Sequence, residues 1–368
     1  MVYRVIGLMS GSSLDGLDIV FAELEAKGDS WEYDIKAAEC VAYPAELVQK
    51  LKDAGTTSAY NYLLLDSAYG KFTGEKVNEF IDNYYLHHQV QLIASHGHTV
   101  FHVPNLRMTS QLGNGAAIAA TTGINVVSDL RAMDVALGGQ GAPIVPVGEK
   151  LLFPGYSFYL NIGGIANLSL RSDNGYTAFD ICPANRVMNM LANQVDKEYD
   201  DNGILAQNGR INTGLLMQLN ALDYYRQPYP KSLANDFGIK EVYPLIRSFQ
   251  ISVNDALRTY VEHISQQLIY SVNGLLRTNP AASVTSRQML VTGGGAFNGF
   301  LINCIKVALK TLNIDIVIPD EKIIRYKEAL IMALLGVLRW REENTVMNSV
   351  TGAERNSIGG AVWMGLEA

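Results

Sequence analysis

Apolar residues fall along this chain in two rhythms, and the alternation between them outlines the fold. Tyr3 to Met9 is a short apolar run of the kind that fills a buried strand. A turn-rich stretch follows, Ser10-Gly11-Ser12-Ser13-Leu14-Asp15-Gly16. Asp18 to Leu24 and Trp31 to Val41 then read as two further strands, so strand, glycine turn and strand predict a hairpin. Pro44 to Ala54 and Ala59 to Tyr85 read as helices. Val90 to Ala94 is a short buried strand running into Ser95-His96-Gly97-His98-Thr99. Ala116 to Thr122 is a short helix and Ile124 to Val127 a strand. Strands mixed with helices at this spacing predict an α/β fold.

The middle of the chain repeats the opening. Ser157 to Ile162 is a strand, residues 163 to 167 a turn, Leu168 to Leu170 a strand, and Thr177 to Phe179 a third, leading to Asp180. Pro183 suits the first position of a helix running to about Gln194. The repeated element order predicts two similar lobes, each opening with a glycine-turned hairpin. Residues 196 to 240 mix polar and turn signals and read as an insertion or a mobile flap. Ser252 to Arg277 is one long helix with apolar positions at Ala256, Tyr260, Ile264, Leu268, Val272 and Leu275. A strand from Gln288 to Thr292 ends in Gly293-Gly294-Gly295. A helix from about Asn298 to Lys310, a strand from Ile314 to Ile318 and a helix from Glu328 to Arg341 complete the pattern.

Composition narrows the function classes. The chain has 368 residues, 48% hydrophobic and 18% charged, enough to bury a large core. Its formal net charge is −7 and no run of Lys and Arg occurs, which argues against a nucleic-acid partner. Three scattered cysteines exclude a disulfide framework and a cysteine zinc cluster. No stretch approaches the ~20 apolar residues of a membrane span, and the N-terminus carries no signal-peptide pattern. The expectation is a cytoplasmic protein with no membrane partner.

Three glycine-rich turns follow strands, at residues 10 to 16, 163 to 167 and 293 to 298. Without a Cβ, backbone N–H groups can approach an anion such as a phosphate. Each turn alone is equally a structural tight turn; two of them in matching hairpins favour a nucleotide cleft. The signatures of a P-loop, a Rossmann dinucleotide site and a serine-hydrolase elbow are all absent. Asp180 ends an apolar strand, where α/β folds place reactive groups. It reads either as a general base or as a capping or surface aspartate. His96, His98 and His102 could contribute to a zinc site, or be satisfied structural histidines, or touch substrate. Gly97 and Pro104 interrupt the strand that would align them. Arg131 could hold a carboxylate or phosphate through two parallel bonds, or form a surface salt bridge. Glu328, at a helix start, either faces a cleft or favours the helix N-terminus. Only Arg186 is basic near Cys182, so that residue reads as a structural thiol.

Taken together, these stretches resemble the anhydro-N-acetylmuramic acid kinase family. They are GLMSGSSLDGLD at 7 to 18, SHGHTVFHVP at 95 to 104, GGQGAPIVP at 138 to 146, LNIGGIANLSL at 160 to 170, FDICPAN at 179 to 185, PKSLANDFG at 230 to 238, VTGGGAFN at 291 to 298 and KEALIMALLG at 327 to 336. The family belongs to the superfamily of acetate and sugar kinases, Hsp70 and actin. The resemblance implies two ribonuclease-H-like lobes with an ATP cleft between them. An N-terminal lobe is expected over 1–128, completed by 345–368, and a C-terminal lobe over 129–344. Carried over by motif, Gly11, Ser12, Ser13, Leu14, Asp15, Gly16, Leu17 and Asp18 would hold ATP phosphates. Gly163 and Gly164 would form the second phosphate turn, and Gly293, Gly294, Gly295 and Asn298 would lie near the nucleotide. Asp180 would be the catalytic aspartate, and Thr99, Arg131 and Glu328 would contact the sugar. ATP and Mg²⁺ are the implied cofactors, an amino sugar the implied substrate and a homodimer the implied assembly.

The chain departs from the family pattern at several points. Where the family reads FDTGPGN, this chain has Ile181, Cys182 and Ala184. Asn189, His98 and Met9 also replace residues usual in the family: Asp, Gln and the Asp of many superfamily kinases, respectively. Three alternatives therefore stay open at this stage. They are a kinase for a related sugar, a chaperone-like ATPase of the same fold, and a metal-dependent hydrolase using the three histidines.

Overall fold

The computed structural model describes residues 1–11, 14–28, 30–172, 175–229, 231–234, 236–278 and 287–365. Its strands are β1 (Val2–Ser10), β2 (Gly16–Lys27), β3 (Ser30–Ala42), β4 (Leu92–Ser95), β5 (His98–Val103), β6 (Met108–Leu112), β7 (Val126–Ser128), β8 (Phe158–Ile162), β9 (Ile165–Ser172), β10 (Gly175–Pro183), β11 (Arg287–Thr292), β12 (Ile314–Val317) and β13 (Ala361–Trp363). The chain divides into two compact units, Met1–Pro154 with Tyr326–Ala368, and Gly155–Arg325.

The first unit is built on a sheet of order β13-β7-β4-β1-β2-β3. The hairpins β1–β2 and β2–β3 are antiparallel, while β4 runs parallel to β1 and β7 parallel to β4. Val5, Ile6 and Leu8 on β1 are fully buried, as expected of a central strand covered on both faces. One face packs Ile6, Leu8, Ile19 and Phe21 against Tyr69, Val77 and Phe80 of the helix Ala59–Asn83. Residues 326–340 of the helix Glu321–Trp340 come so close to β1 that a Cβ on Gly7 would lie 1.9 Å from the Ala329 carbonyl oxygen. Glycine at that position is therefore a packing requirement.

The second unit repeats the plan. Its sheet has the order β10-β9-β8-β11-β12, with β8, β9 and β10 antiparallel and β11 and β12 parallel to β8. Matching β3-β2-β1-β4-β7 against β10-β9-β8-β11-β12 gives the same sequence of three antiparallel and two parallel strands. This doubled ribonuclease-H-like sheet is the α/β architecture the repeated hairpins pointed to. Leu257, Tyr260, Ile264, Leu268 and Val272 of the helix Val253–Thr278 fill the core of this unit.

Four elements differ from their sequence expectation. The units divide at 154/155 and 325/326, not at 128/129 and 344/345. Residues 129 to 154 stay with the first unit because buried Asp134 bonds the Thr351 hydroxyl at 2.7 Å and Tyr33 of β3 packs on Phe153 at 5.4 Å. Pro183 ends β10 and does not start a helix; the helix begins at Asn185. Since β10 is an edge strand, a residue with no N–H is tolerated there, and the Pro183 carbonyl accepts from the Tyr260 hydroxyl at 2.7 Å. Glu328 is not at a helix start, because the helix begins at Glu321, where the Asp320 carboxylate accepts the Ile323 N–H at 3.0 Å. The described residues of 196 to 240 are built into the second unit, with Leu215, Leu219, Tyr224 and Tyr225 buried in its core.

Candidate active site

The first glycine turn connects β1 to β2, and Ser12 and Ser13 lie outside the described residues. Leu14 adopts a left-handed φ of 60°. The Asp15 carboxylate accepts the N–H of the adjacent Gly16 at 3.1 Å. Leu17 is buried in the core of the unit, while Asp18 pairs with Met9 on one side and Cys40 on the other. Beneath the turn runs a buried chain of hydroxyls. The Tyr43 hydroxyl donates to Ser10 Oγ at 2.8 Å and meets the Tyr69 hydroxyl at 2.7 Å, and Ser10 Oγ lies 3.0 Å from His98 Nδ1. Burial pushes the Tyr43 hydroxyl far above its ordinary range and pulls His98 down to about 4, so the network is uncharged.

A second cluster in the same unit gathers around Arg131. Its Nε donates to His96 Nε2 at 2.8 Å, and its Nη1 donates to the Gly141 carbonyl. His96 Nδ1 lies 2.8 Å from the Gly97 carbonyl, which can only accept. The proton therefore sits on Nδ1 and the lone pair on Nε2. Burial, with Arg131 beside it, depresses His96 to about 3. Burial lowers Arg131 to about 10, opposed by the charges of Glu328 and Asp134. Asp134 is fully buried and accepts the Gly141 N–H at 2.7 Å. It thereby braces the loop that carries the Arg131 acceptor. Thr99 lies half-buried on β5, with Gln111 Nε2 3.4 Å from its hydroxyl. Next to Glu328, Lys327 forms an ion pair with Glu149 at 2.9 Å, both side chains 2% exposed.

The three histidines do not converge. Arg131 occupies the only lone pair of His96, His98 turns to Ser10, and exposed His102 bonds Thr109 at 3.0 Å. The left-handed φ of 73° at Gly97 and the bulge between Thr99 and Phe101 break the alternation that would align them. Among the described residues, no group of three His, Cys, Asp or Glu side chains is arranged to hold a metal ion.

In the second unit, Asp180 sits on β10 where the register against β9 shifts between Asp180 and Cys182. Its carboxylate is held on both oxygens. Oδ1 accepts from Asn167 Nδ2 at 2.8 Å; Oδ2 accepts from the Leu233 N–H at 2.8 Å and the Ser232 hydroxyl at 3.2 Å. The backbone is fixed too, with the Asp180 N–H donating to the Lys231 carbonyl at 3.2 Å and its carbonyl accepting from the Tyr224 hydroxyl at 2.6 Å. The stretch from Tyr224 to Leu233 is anchored by Tyr229 stacked on Phe179 at 5.2 Å and by Lys231 over the Tyr224 ring at 4.4 Å. Cys182 is fully buried, and burial raises its thiol well above the ordinary range, so it is inert.

Two glycine turns lie beside Asp180, at the ends of the parallel neighbours β8 and β11. The Gly163 and Gly164 carbonyls accept the N–H groups of Asn185 and Ala184 at 3.0 and 2.8 Å, which fixes the turn to the start of the following helix. Gly293 has φ 81°, and a Cβ there would lie 2.7 Å from both Asn161 Oδ1 and the Ile162 carbonyl oxygen. Gly295 would similarly meet the Ile162 side chain at 2.3 Å. Gly163 and Gly164 differ. Their φ values lie outside the left-handed region, and an added Cβ would meet nothing closer than 3.5 and 3.7 Å. The protein's own packing does not require glycine at either position, and the approach of an outside group would. Asn298 uses its side chain to cap the helix Gly299–Lys310, accepting the Leu301 N–H at 3.0 Å.

The structure thus groups Asp180, Gly163, Gly164 and Gly293–Gly295 in one unit, and Arg131 with Glu328 in the other. Residues that the sequence reading passed over are Asn161, Asn167, Ser232, Leu233 and Tyr224 around Asp180, and His96 as the partner of Arg131. The two asparagines had a legible signal, since each is a polar residue inside an apolar strand on either side of Gly163-Gly164.

Two ribonuclease-H-like sheets with glycine turns at their strand ends define the fold class shared by actin, Hsp70 and sugar kinases. Within that class, the sequence model of the anhydro-N-acetylmuramic acid kinase family matches residues 3–365, and the chain belongs to that family. Curated relatives of that name include one from Hydrogenovibrio crunogenus, 32% identical and covering 97% of both chains. Another, from Sulfurovum sp., is 31% identical over 98% of this chain and 99% of its own. A third, from Haemophilus influenzae, is 31% identical over 97% of both. Among solved structures, the activator of the 2-hydroxyisocaproyl-CoA dehydratase from Clostridium difficile with bound ADPNP is 16% identical, with a TM-score of 0.43 over 93% of this chain and 96% of its own. Component A of the Acidaminococcus fermentans (R)-2-hydroxyglutaryl-CoA dehydratase is 13% identical, with a TM-score of 0.44 over 91% and 97%. The strand order, and not these scores, assigns the fold.

Proposed function

We propose that this protein uses ATP and water to convert 1,6-anhydro-N-acetylmuramic acid to N-acetylmuramic acid 6-phosphate and ADP, a step in the recycling of cell-wall fragments. Family membership supports the reaction. The observation that carries the assignment of roles is the Asp180 carboxylate, gripped by Asn167, Ser232 and Leu233 beside two glycine turns.

The substrate has no free 6-hydroxyl, because O6 is bridged to C1. Water attacks C1, the C1–O6 bond breaks, and Asp180 takes the proton that the water loses. The freed O6 then attacks the γ-phosphorus and ADP departs; Asp180 later returns its proton to solvent. A base held in a fixed orientation suits this work, since proton removal depends on hydrogen-bond reach to the attacking water. Gly163 and Gly164, free of any packing need for glycine, are where phosphate oxygens approach the backbone. The turn from Gly11 to Asp18 and Gly293–Gly295 with Asn298 complete the nucleotide contacts. Arg131, Glu328 and Thr99 contact the sugar. With its Nε and Nη1 occupied, Arg131 offers Nη2.

Mg²⁺ bound with ATP offsets phosphate charge and needs few protein ligands, being held mostly by phosphate oxygens and water. Asp15 and Asp18 are the carboxylates of the first turn and suit that supporting role. The family departures at Ile181, Cys182 and Ala184 fall on side chains 1%, 0% and 0% exposed, within the core. That placement supports retention of the substrate over a change to a related sugar.

The test is product analysis in ¹⁸O-labelled water with ATP, Mg²⁺ and the anhydro sugar, beside an Asp180→Asn variant. The expected product is a 6-phosphosugar labelled at C1, absent with the variant. ATP consumed without a phosphosugar would overturn the proposal in favour of a plain ATPase.

A further inference from the structure

Four residues form a single row across the second unit's sheet. Thr292 on β11 is the register partner of Asn161 on β8, Asn161 of Asn167 on β9, and Asn167 of Asp180 on β10. Their side chains are joined in the same order. The Thr292 hydroxyl lies 3.3 Å from Asn161 Oδ1, Asn161 Nδ2 donates to Asn167 Oδ1 at 3.3 Å, and Asn167 Nδ2 donates to Asp180 Oδ1 at 2.8 Å. Neighbouring positions are apolar, with Leu160, Ile162, Ala166 and Leu168 all buried in the core. Asn161, Asn167 and Asp180 are half-buried on the other face, and Thr292 is the buried end of the row.

The row has a direction. Each amide oxygen receives from the residue before it, so each amide N–H₂ faces the residue after it. A flipped Asn167 would set its oxygen against the Asp180 carboxylate and its N–H₂ against that of Asn161. Upstream, Thr292 is fully buried, and the next residue is Gly293, whose missing Cβ leaves room for Asn161 Oδ1. Downstream, Asn167 joins Leu233 and Ser232 to fill three of the roughly four acceptor directions of a carboxylate. One direction is left to receive a proton.

We propose that Asn167 is a positioning residue for Asp180, its polarity set by Asn161 and Thr292, and that this row ties the base to the third glycine turn. The proposal rests on the reading of Asp180 as the base. Other titratable groups near Asp180 are Cys182 on its own strand and Tyr224 and Lys231 on the segment above it. From the following helix, Arg186 reaches to within 3.7 Å of where a Gly164 Cβ would stand. On its Oδ1 side the Asp180 carboxylate accepts from the Asn167 amide at 2.8 Å.

The experiment is a kcat–pH profile at saturating ATP and sugar for the full-length protein, with Asn167→Asp, Asn167→Ala, Asn161→Asp and Asp180→Asn variants. A carboxylate at 167 facing Asp180 makes a like-charge pair in which one member keeps its proton to higher pH. Because the base must be unprotonated, the acid limb for Asn167→Asp should move up by about one pH unit or more. Asn161→Asp, which removes the donor to Asn167 without touching Asp180, should move it in the same direction by less. Asn167→Ala should lose about 10- to 100-fold in kcat with the KM for ATP little changed. A purely structural role would reduce the active fraction and leave the limb in place. If Asp180→Asn is inactive while both aspartate variants keep the wild-type limb, the proposal is overturned. Product formation by Asp180→Asn would instead overturn the reading of the base itself. Should Asn167→Asp fail to fold, the limb of Asn161→Asp decides.

Discussion

Glycines in this protein serve two different ends, and alanine substitution separates them. Gly7 is a packing glycine. Its Cβ would lie 1.9 Å from the Ala329 oxygen and 2.8 Å from the Ala333 nitrogen, both backbone atoms of one helix. No side-chain rotation relieves that clash, so β1 and the helix must separate. Overpacking of this kind costs typically 1–3 kcal/mol, and Gly7→Ala belongs at the upper end, about 3 kcal/mol. For a domain of this size that is a fall in Tm of about 6–12 °C. Gly164 is the opposite case. The nearest atom to its Cβ is Arg186 Nε at 3.7 Å, the flexible end of a side chain. Gly164→Ala should leave stability unchanged or raise it by up to ~1 kcal/mol through the unfolded chain. Under the proposed nucleotide contact at this turn, what it removes is backbone access for a phosphate. Loss of one charge-assisted bond of ~1.5–3 kcal/mol predicts a KM for ATP about 10- to 150-fold higher. Urea unfolding and steady-state kinetics on the two variants and the wild type are the assay. The reasoning is refuted if Gly164→Ala keeps the wild-type KM for ATP, or if Gly7→Ala is as stable as the wild type.

Three further outcomes are expected. Lys327→Met strips buried Glu149 of its ammonium partner and should destabilise the fold by about 3–5 kcal/mol; adding Glu149→Leu should recover most of that loss, as read by urea unfolding. Burial holds His96 and His98 neutral down to about pH 3 and 4, against an ordinary value of 6.5, so the unfolded chain binds the extra protons. Stability is then full above about pH 6.5 and falls toward pH 4 by about 1.4 kcal/mol per pH unit for each such histidine. His98→Gln should flatten that slope, and an unchanged slope would contradict the assigned cause. Arg131→Lys cannot reproduce the paired bonds to His96 and Gly141, so the KM for the sugar should rise while the KM for ATP holds.

The large features of the fold were legible because each rests on a local signal. Val5 to Leu8, the glycine turns and the 3.6-residue rhythm of the helix Val253–Thr278 announce their elements directly. The errors fall where tertiary context decides. Pro183 carries a good helix-start signal, and β10 accepts it only because that strand lies at the sheet edge. Residues 196 to 240 look polar in sequence, yet Leu215 and Leu219, four apart on the helix Thr213–Asn220, are buried in the core that the long helix fills. Around Asp180, the donors come from Asn167 and, more than 50 residues downstream, from Ser232 and Leu233. Nothing local connects Leu233 to Asp180, because its contribution is a backbone N–H. His96 likewise looked like one of three histidines until the Arg131 guanidinium was found on its lone pair.

The departures in FDICPAN acquire a physical meaning from the bulge in β10. In a regular strand, successive side chains alternate faces, so Asp180 and Cys182 would point the same way. The register shift between them removes that constraint. Asp180 stays half-exposed at the end of its donor row, while Ile181, Cys182 and Ala184 all enter the core with Val187 and Met188. Changes at 181, 182 and 184 are therefore absorbed as core volume, where apolar substitutions are tolerated if the total is kept. The groups that hold Asp180 lie elsewhere, on β9 and on the segment ending at Leu233. The divergent motif residues and the partners of Asp180 are kept apart because the bulge lets Ile181 and Cys182 enter the core while Asp180 stays half-exposed.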